Sequence, residues 1–326
     1  MAHFAHMSTS EWHLKTPVVF IIFNRPDTTA RVFEEIRRAR PLKLLVIADG
    51  PRLDHPEDAN RCAATRAIVE QVDWPCEVLK NYAETNLGCK RRVSSGLDWV
   101  FDTIEEAIIL EDDCLPHPTF FRFCEELLDR YRLEPSVMTI SGNYFHGRNH
   151  RPTCSYFFSH YDHCWGWASW RRAWQHYDCD MSQWPALRDT DWLLTYGDGN
   201  RDFQRYWTRV FDMTFTGKID TWNYQWKFSC FVQDGLSILP SKNLVKNIGF
   251  GQNATHTRGD GGWIGRLPLE SISFPLEHPK EIARDRVADR WTDLNVVRTS
   301  VPIAERILRR IWTLARRITP FCRPSR

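Results

Sequence analysis

Hydrophobic and polar residues alternate in a regular way over the first 140 residues of the chain. Short continuous apolar runs predict buried strands, and they are separated by longer stretches with apolar residues at helical spacing. Such runs predict strands at Val18–Phe23, Leu44–Ala48 and Ala107–Leu110, and a weaker pattern that includes Glu77 predicts a strand at Cys76–Leu79. The predicted helices are 27–40, 57–72, 89–101 and 119–132. Such alternation predicts an α/β fold whose mostly parallel central sheet carries helices on both faces.

The second half of the chain has a weaker pattern. Strands are predicted at 137–142, 155–159 and 236–240, and helices at 189–196, 202–215 and 222–232. An aromatic segment interrupted by glycine, 163–170, runs into a predicted helix that ends near Tyr177. A loop rich in glycine and asparagine follows at 247–257.

Polar side chains stand at the end of each predicted strand of the first half: Asn24 and Arg25, then Asp49, then 86–88, then the three acids at 111–113. Because ligands bind at the carboxyl ends of parallel strands, these groups are expected at one ligand-binding edge. Three adjacent carboxylates repel each other, and Mg²⁺ or Mn²⁺ would offset their charge. The alternative is a solvated acidic turn.

Composition narrows the class of protein. The hydrophobic content of 42% excludes a disordered chain, and a formal net charge of only +2 gives no indication of a nucleic-acid partner. The 10 cysteines show no C-x-x-C spacing, which favours a reducing, cytoplasmic setting without a zinc site. The first strand lacks G-x-G-x-x-G, which disfavours a dinucleotide-binding protein.

The ends of the chain bear on membranes. Residues 1–15 show no secretory signal pattern, and no run of 18 apolar residues predicts a membrane span. The pattern of residues 303–318 predicts a basic amphipathic helix, which suggests peripheral contact with an anionic membrane. For a cytoplasmic protein this would be the inner face of the membrane. The alternative is a helix that packs on its own domain or on a partner subunit.

Several motifs together resemble those of the GT-A nucleotide-sugar glycosyltransferases. They are N-R-P-D at 24–27, A-D-G-P at 48–51, N-x-G at 86–88, and E-D-D at 111–113 as a variant of D-x-D. The segments 163–174, 222–226 and 247–257 resemble a bacterial branch described as sugar transferases or hemolytic-protein-like. The motif order is also similar to that of alpha-1,3-mannosyl-glycoprotein beta-1,2-N-acetylglucosaminyltransferases, over roughly residues 17–257.

The resemblance implies a GT-A type fold and a domain plan. Residues 1–15 form a disordered or vector-derived N-terminus, 16–142 the half that binds the nucleotide-sugar, and 143–262 the half that binds the acceptor. Residues 263–326 form a C-terminal extension with the basic helix. The implied activity is metal-dependent, inverting transfer of a hexosyl or N-acetylhexosaminyl group from a UDP-sugar to a saccharide or glycoconjugate acceptor, as in bacterial polysaccharide biosynthesis.

The resemblance also assigns residues to roles. The donor nucleotide would be bound by Asn24, Arg25, Asp49, Arg91, Arg92 and Asp112, with Asp49 accepting from the uracil ring and Asp112 near the ribose. Asp113 would hold Mn²⁺ or Mg²⁺, and His256 would complete the metal shell or contact the diphosphate. The metal and a helix N-terminus would together offset the charge of the departing diphosphate.

Inversion requires a general base on the acceptor hydroxyl. Related enzymes carry an acid after a late tryptophan, but here Trp222 is followed by Asn223, and an amide is not a base. We therefore predict Asp220 as the base, with a helix N-cap as its alternative role; Asp212 and Asp234 are more distant candidates. The sugar and acceptor are expected to contact Trp165, Trp167, Trp222 and Asn223.

Two other functions stay open. A nucleotidyltransferase acting on a sugar phosphate can share such a sheet, but it would normally show a glycine-rich phosphate loop, and Asn24-Arg25-Pro26-Asp27 contains no glycine. A non-catalytic, membrane-associated or toxin-like module would bind through the basic tail, and the missing acid at position 223 favours it.

Overall fold

The structure, a computed structural model, describes residues 12–147, 150, 152–250 and 262–299. Ten strands occur in this part of the chain: β1 (Val18–Ile22), β2 (Lys43–Ala48), β3 (Glu77–Tyr82), β4 (Glu106–Glu111), β5 (Cys114–Pro116), β6 (Val137–Ser141), β7 (Tyr156–Ser159), β8 (Trp167–Trp170), β9 (Leu236–Pro240) and β10 (Val245–Asn247).

The longer helices fall close to the predicted positions. They are α1 (Pro26–Ala39), α2 (Asp58–Val69), α3 (Gly88–Thr103), α4 (Thr119–Arg130), α8 (Arg201–Phe215) and α9 (Asn223–Val232). The short helices are α5 (Arg171–Trp174), α6 (Trp184–Leu187), α7 (Trp192–Tyr196), α10 (Gly262–Gly265) and α11 (Arg286–Thr292), and one π-helical turn follows at Asp293–Val297. Within the described residues, none of the helices has the length and apolar composition to span a membrane.

Eight strands form the central sheet, in the order β3-β2-β1-β4-β8-β6-β9-β7. The first four are parallel neighbours, β6 pairs parallel with β9, and β8 and β7 run antiparallel to their neighbours. The predicted α/β fold with a mostly parallel central sheet is therefore confirmed. Because β2 and β4 lie on opposite sides of β1, the strand order reverses at β1, which opens a crevice beyond its carboxyl end.

Burial on both faces explains the continuous apolar runs. In β1, Val18, Phe20 and Ile22 pack on one side with residues of α1 and α4, whereas Val19 and Ile21 pack on the other with residues of α3 and α9. All five residues of this strand are buried. A strand covered on both sides needs apolar residues at every position, because no face is left for water.

The aromatic segment 163–170 contains a strand that the sequence prediction lacked. Its residues Trp167–Trp170 form β8, which inserts antiparallel between β4 and β6, and the following helix ends at Trp174 rather than near Tyr177. Gly166 precedes the strand at φ +68°, and a Cβ there would lie 2.7 Å from the Val245 side chain. Only glycine suits such a position, so the glycine starts the strand instead of interrupting it.

The described part of the C-terminal extension packs on the same sheet. Ile272 and Leu276 belong to the main hydrophobic cluster, and the Glu270 amide donates to the Asn243 carbonyl at 2.8 Å. The predicted basic helix, 303–318, lies outside the described residues. The proposed halves 16–142 and 143–262 are both part of this sheet, since β8 lies between β4 and β6.

Candidate functional site

Two acids and an arginine meet in the crevice between β1 and β4. Arg25 follows β1 and begins α1, whereas Asp112 and Asp113 follow β4. The Arg25 Nη1 atom lies 2.5 Å from Asp113 Oδ2 and 3.7 Å from Asp112 Oδ1. These residues are far apart in the sequence, and the parallel pairing of β1 with β4 brings them together.

Burial shifts the pKa of these acids upward. Burial and then repulsion from Asp113 raise the pKa of Asp112 to about 7, against the Arg25 charge and the 3.0 Å hydrogen bond from the Phe23 amide. Burial and both neighbouring aspartates raise the pKa of Glu111 to about 8. Burial opposes the charge of Arg25, but Asp112 and Asp113 outweigh it and raise the pKa of the guanidinium. Three acidic side chains thus share one guanidinium, and burial and mutual repulsion make their joint ionisation unfavourable.

A second, two-stranded sheet covers Asp113. The strand β5, directly after the acids, pairs antiparallel with β10, and the Ile248 amide donates to the Asp113 carbonyl at 2.7 Å. A Cβ at Gly249 would overlap Asp113 Oδ2 and lie 2.7 Å from the Asp113 Cβ. The glycine therefore permits the close contact between this loop and the acid.

Asp49 is held by the residues around it. Its Oδ1 accepts from the amides of Gly50 at 2.8 Å and Leu87 at 2.9 Å, and its Oδ2 accepts from the Asn86 side chain at 3.0 Å and the Gly88 amide at 3.1 Å. Burial is the main cause that raises the pKa of this carboxyl. Four donors on two oxygens tie the 86–88 loop to β2. The contact of Asp49 with a uracil ring stays a prediction.

Asn24 and its neighbours form a polar cluster beside the crevice. The Asn24 amide donates to Asp58 Oδ1 at 2.7 Å, and the Arg61 Nε donates to the Asn24 carbonyl at 2.9 Å. A hydrogen bond from Arg52 lowers the pKa of Asp58 to about 2. Arg61 and Asp58 were absent from the sequence prediction, because no motif distinguishes a charged residue on α2 from a solvated helix face.

The two predicted arginines of α3 differ in environment. Arg92 is 5% exposed, and its Nη2 donates to the Asn81 carbonyl at 2.6 Å and to the Asn81 side chain at 2.7 Å. Burial lowers the pKa of its guanidinium. Arg91 is exposed on the outer surface of the helix. In this structure Arg92 therefore fixes the end of β3, and neither arginine contacts the acids.

Asp220 lies at the same edge of the sheet. It is exposed, and its Oδ2 lies 3.5 Å from the position of a Cβ on Gly88, which begins α3. Asn223, one residue after Trp222, accepts a 2.5 Å hydrogen bond from the Thr221 hydroxyl and lies 3.7 Å from the Cys164 sulfur. Asp220 therefore presents a solvent-exposed carboxylate beside the start of α3.

The three predicted tryptophans fall into two groups. Trp167 and Trp222 are 1% and 3% exposed and stack on each other with ring centroids 5.4 Å apart, so they are core residues behind the crevice. Trp165 is only partly buried and lies edge-on to Phe145 and Phe250, with centroids 5.6 Å away in both cases. Of the three, Trp165 has the surface to contact a sugar.

The oxygen ligands at the crevice are of the kind that bind a hard divalent cation. Asp112 and Asp113 supply carboxylate oxygens, which Mg²⁺ and Mn²⁺ prefer, and the Arg25 guanidinium already stands as a cation between them. Across the described ranges, no group of three or more His, Cys, Asp or Glu side chains is arranged to hold a metal. His256 lies outside the described residues.

Comparison with known proteins finds distantly similar solved structures but no matching family. No protein-family model matches the chain, and no curated protein sequence does. Similar solved structures include a mannosyltransferase from Pyrobaculum calidifontis in complex with GDP-Man and Mn²⁺, with 15% identity and a TM-score of 0.29 over 40% of this chain and 35% of that one.

Two further structures are similar at the same low level. A UDP-glucose pyrophosphorylase complexed with UDP-glucose has 12% identity and a TM-score of 0.23, over 40% of this chain and 64% of the other. Mouse xyloside xylosyltransferase 1 in its apo form has 12% identity and a TM-score of 0.31, over 66% and 81%. The chain thus spans about a third of the mannosyltransferase and less than two thirds of the pyrophosphorylase, and its fold is defined by the strand order described above.

Proposed function

We propose that this protein is a metal-dependent, inverting glycosyltransferase that moves a sugar from a UDP-sugar to a saccharide or glycoconjugate acceptor. The observation that carries the proposal is the meeting of Arg25, Asp112 and Asp113 in the crevice where the strand order reverses. Ligands of open α/β sheets bind at this point. Buried carboxylates that share one guanidinium are suited to a site for a cation and a diphosphate.

The residues of the crevice would divide the work of donor binding. Asp113, together with Asp112, would hold Mn²⁺ or Mg²⁺, which supplies positive charge to stabilise the departing diphosphate. Arg25 would contact a phosphate oxygen, since a guanidinium matches the geometry of phosphate. The helix α1 begins at Pro26, just after β1, so its positive N-terminal end lies at the same crevice. No side chain caps this end.

The acceptor would be activated by Asp220. This carboxylate is exposed beside Gly88, so an acceptor hydroxyl can approach it and transfer its proton to an oxygen of the side chain. Asn223 is bonded to Thr221 and would orient the acceptor rather than take its proton. Trp165, at the rim with Phe250, would pack against a sugar ring. Peripheral membrane contact through 303–318 and a cytoplasmic setting remain part of the proposal.

A thermal-shift panel tests the function. UDP with Mn²⁺ is expected to stabilise the protein, because a ligand that binds only the folded state raises its melting temperature. Asp113→Ala is expected to abolish the metal-dependent part of that shift, whereas the control Asp129→Ala, exposed on α4, is expected to keep it. A shift with nucleoside triphosphates but not UDP would indicate a nucleotidyltransferase. No shift with any nucleotide, combined with binding to anionic liposomes, would indicate the membrane-associated module.

Substitution of the base separates binding from transfer. Asp220→Asn removes the proton acceptor but keeps the shape of the side chain, so UDP affinity should be unchanged and sugar transfer should fall by at least about a hundredfold. Asp212→Asn is the control, because Asp212 lies on α8 and pairs with Arg188, which follows α6. Transfer that persists in the Asp220 variant would place the base elsewhere.

A further inference from the structure

Arg25 occupies the place between two carboxylates where a metal ion would be expected. Its Nη1 contacts Asp113 at 2.5 Å, and the side chains of Arg25, Asp112 and Asp113 are only 16%, 9% and 13% exposed. An arginine guanidinium carries its charge at any physiological pH. The structure thus already contains a cation bound to the acid pair.

A guanidinium and a divalent ion would compete for this position. Two cations close to the same carboxylate repel each other, and in a partly buried site this repulsion is enough to change an affinity by more than roughly tenfold. A metal ion that binds Asp113 in the absence of a nucleotide would therefore have to displace Arg25. Arg25 would then lose its ion pair with Asp113. A phosphate group next to Arg25 would compensate that loss, because guanidinium forms strong charge-assisted hydrogen bonds to phosphate.

We infer that Arg25 is an internal counter-ion that moves from Asp113 to the diphosphate when the nucleotide and the divalent cation bind together. This inference rests on the proposed function and assigns a regulatory role to its site. Its consequence is that the cation alone binds weakly, that the nucleoside diphosphate strengthens cation binding, and that Arg25 is the residue that couples the two.

Mn²⁺ binding followed by electron paramagnetic resonance tests the inference without any measurement of transfer. Each protein is titrated with Mn²⁺ alone and then with Mn²⁺ in the presence of UDP. Arg25→Met should bind Mn²⁺ alone roughly tenfold more tightly than the wild type, and UDP should strengthen that binding much less than it does in the wild type. The matched control is Arg61→Met, which also removes a positive charge from this edge of the sheet. In the wild type the Arg61 side chain donates to the Asn24 carbonyl. It should behave like the wild type with Mn²⁺ alone.

The outcomes separate the inference from the proposed function. Mn²⁺ affinity in Arg25→Met that is no higher than in the wild type or in Arg61→Met overturns the counter-ion role, even if UDP and Mn²⁺ bind. If UDP binds to none of the proteins, the proposed function fails and the transfer of Arg25 to a diphosphate fails with it. The titration with Mn²⁺ alone then still decides whether Arg25 neutralises Asp113.

A second measurement covers the case in which Arg25→Met fails to fold, as judged by circular dichroism. In a crystal of the wild-type protein with UDP and Mn²⁺, the Arg25 guanidinium should lie against a phosphate oxygen and no longer contact Asp113. A guanidinium that still pairs with Asp113 in that complex overturns the inference.

Discussion

At the scale of single residues, the Asp49 carboxylate shows how a polar group at a strand end can serve the fold. It accepts from three backbone amides and from Asn86, and so joins the end of β2 to the first turn of α3. The same amides are those that a bound phosphate would otherwise use at the N-terminus of α3. The diphosphate is therefore expected nearer to α1, whose first turn has no side-chain cap.

Asp49→Asn tests this structural role. The NH₂ group of asparagine would replace one of the two accepting oxygens and would face hydrogen-bond donors. At least one buried backbone amide would then have no acceptor. The free energy of unfolding should fall by about 2 kcal/mol, measured by urea denaturation. Asp54→Asn is the control in the following loop, because its side chain is 82% exposed and pairs only with His55 among the described residues. Equal stability of the two variants would contradict the assignment.

The raised pKa values of Glu111 and Asp112 predict how stability depends on pH. Their folded pKa values, about 8 and about 7, lie above those of an unfolded carboxyl group, so the folded state holds more protons between about pH 4 and 8. The contribution of these acids to stability is therefore complete below about pH 4. It is lost as the pH rises toward the folded pKa values.

Asp112→Asn should reduce this pH dependence in the metal-free protein. Asparagine keeps an oxygen for the Phe23 amide but does not ionise. The wild type should lose stability relative to this variant between pH 5 and pH 8.5, by on the order of 2 kcal/mol, as measured by urea denaturation at both values. A difference between the two proteins that stays constant with pH would show that Asp112 ionises normally.

At the scale of elements, the π-helical turn and α11 are anchored through carboxylates. Asp285 caps α11 and pairs with His150 at 2.9 Å. Asp289 accepts from the Ser159 hydroxyl at 2.5 Å and pairs with Arg284. Asp293 accepts from the Tyr161 hydroxyl. The acids recur every four residues and so lie on one side of the helix. This side faces the end of β7 and the residues on either side of that strand, which makes the described part of the C-terminal extension integral to the sheet.

Asp289→Asn should destabilise the protein more than a surface substitution does. Asp289 is fully buried, and its loss would leave the Arg284 charge without its buried partner. The expected cost is about 3 kcal/mol in the free energy of unfolding. Asp129→Asn, at an exposed position of α4, should change stability by less than about 0.5 kcal/mol. The contrast is measured in the same denaturant titration, and similar midpoints would refute it.

At the scale of the whole molecule, much of the first half could be predicted from the sequence, because β1, β2 and β4 each contain a continuous apolar run. In β1 and β4 such runs end in polar residues, which also places Arg25, Asp112 and Asp113 at one edge. The prediction of β8 failed because Trp167–Trp170 depends on neighbours from two distant segments, β4 and β6. A local pattern contains no information about such pairing.

The details of the site were less predictable for the same reason. A contact between Asp49 and the amides of Leu87 and Gly88 spans more than 35 residues, and the acidic motif by itself does not indicate that Arg25 pairs with it. Residue types and strand ends predicted where a ligand would bind. Which side chains are already occupied by other parts of the chain follows only from the packing.

The position of β8 also governs how the chain can be divided. A polypeptide that stopped at residue 142 would contain β4 and β6 but lack the strand that joins them, and β6 would lose its other neighbour, β9, as well. Such a fragment would expose unpaired strand edges that favour aggregation. Attempts to produce residues 16–142 as an independent protein should therefore yield insoluble material, and complementary fragments should become soluble only when both are synthesised together.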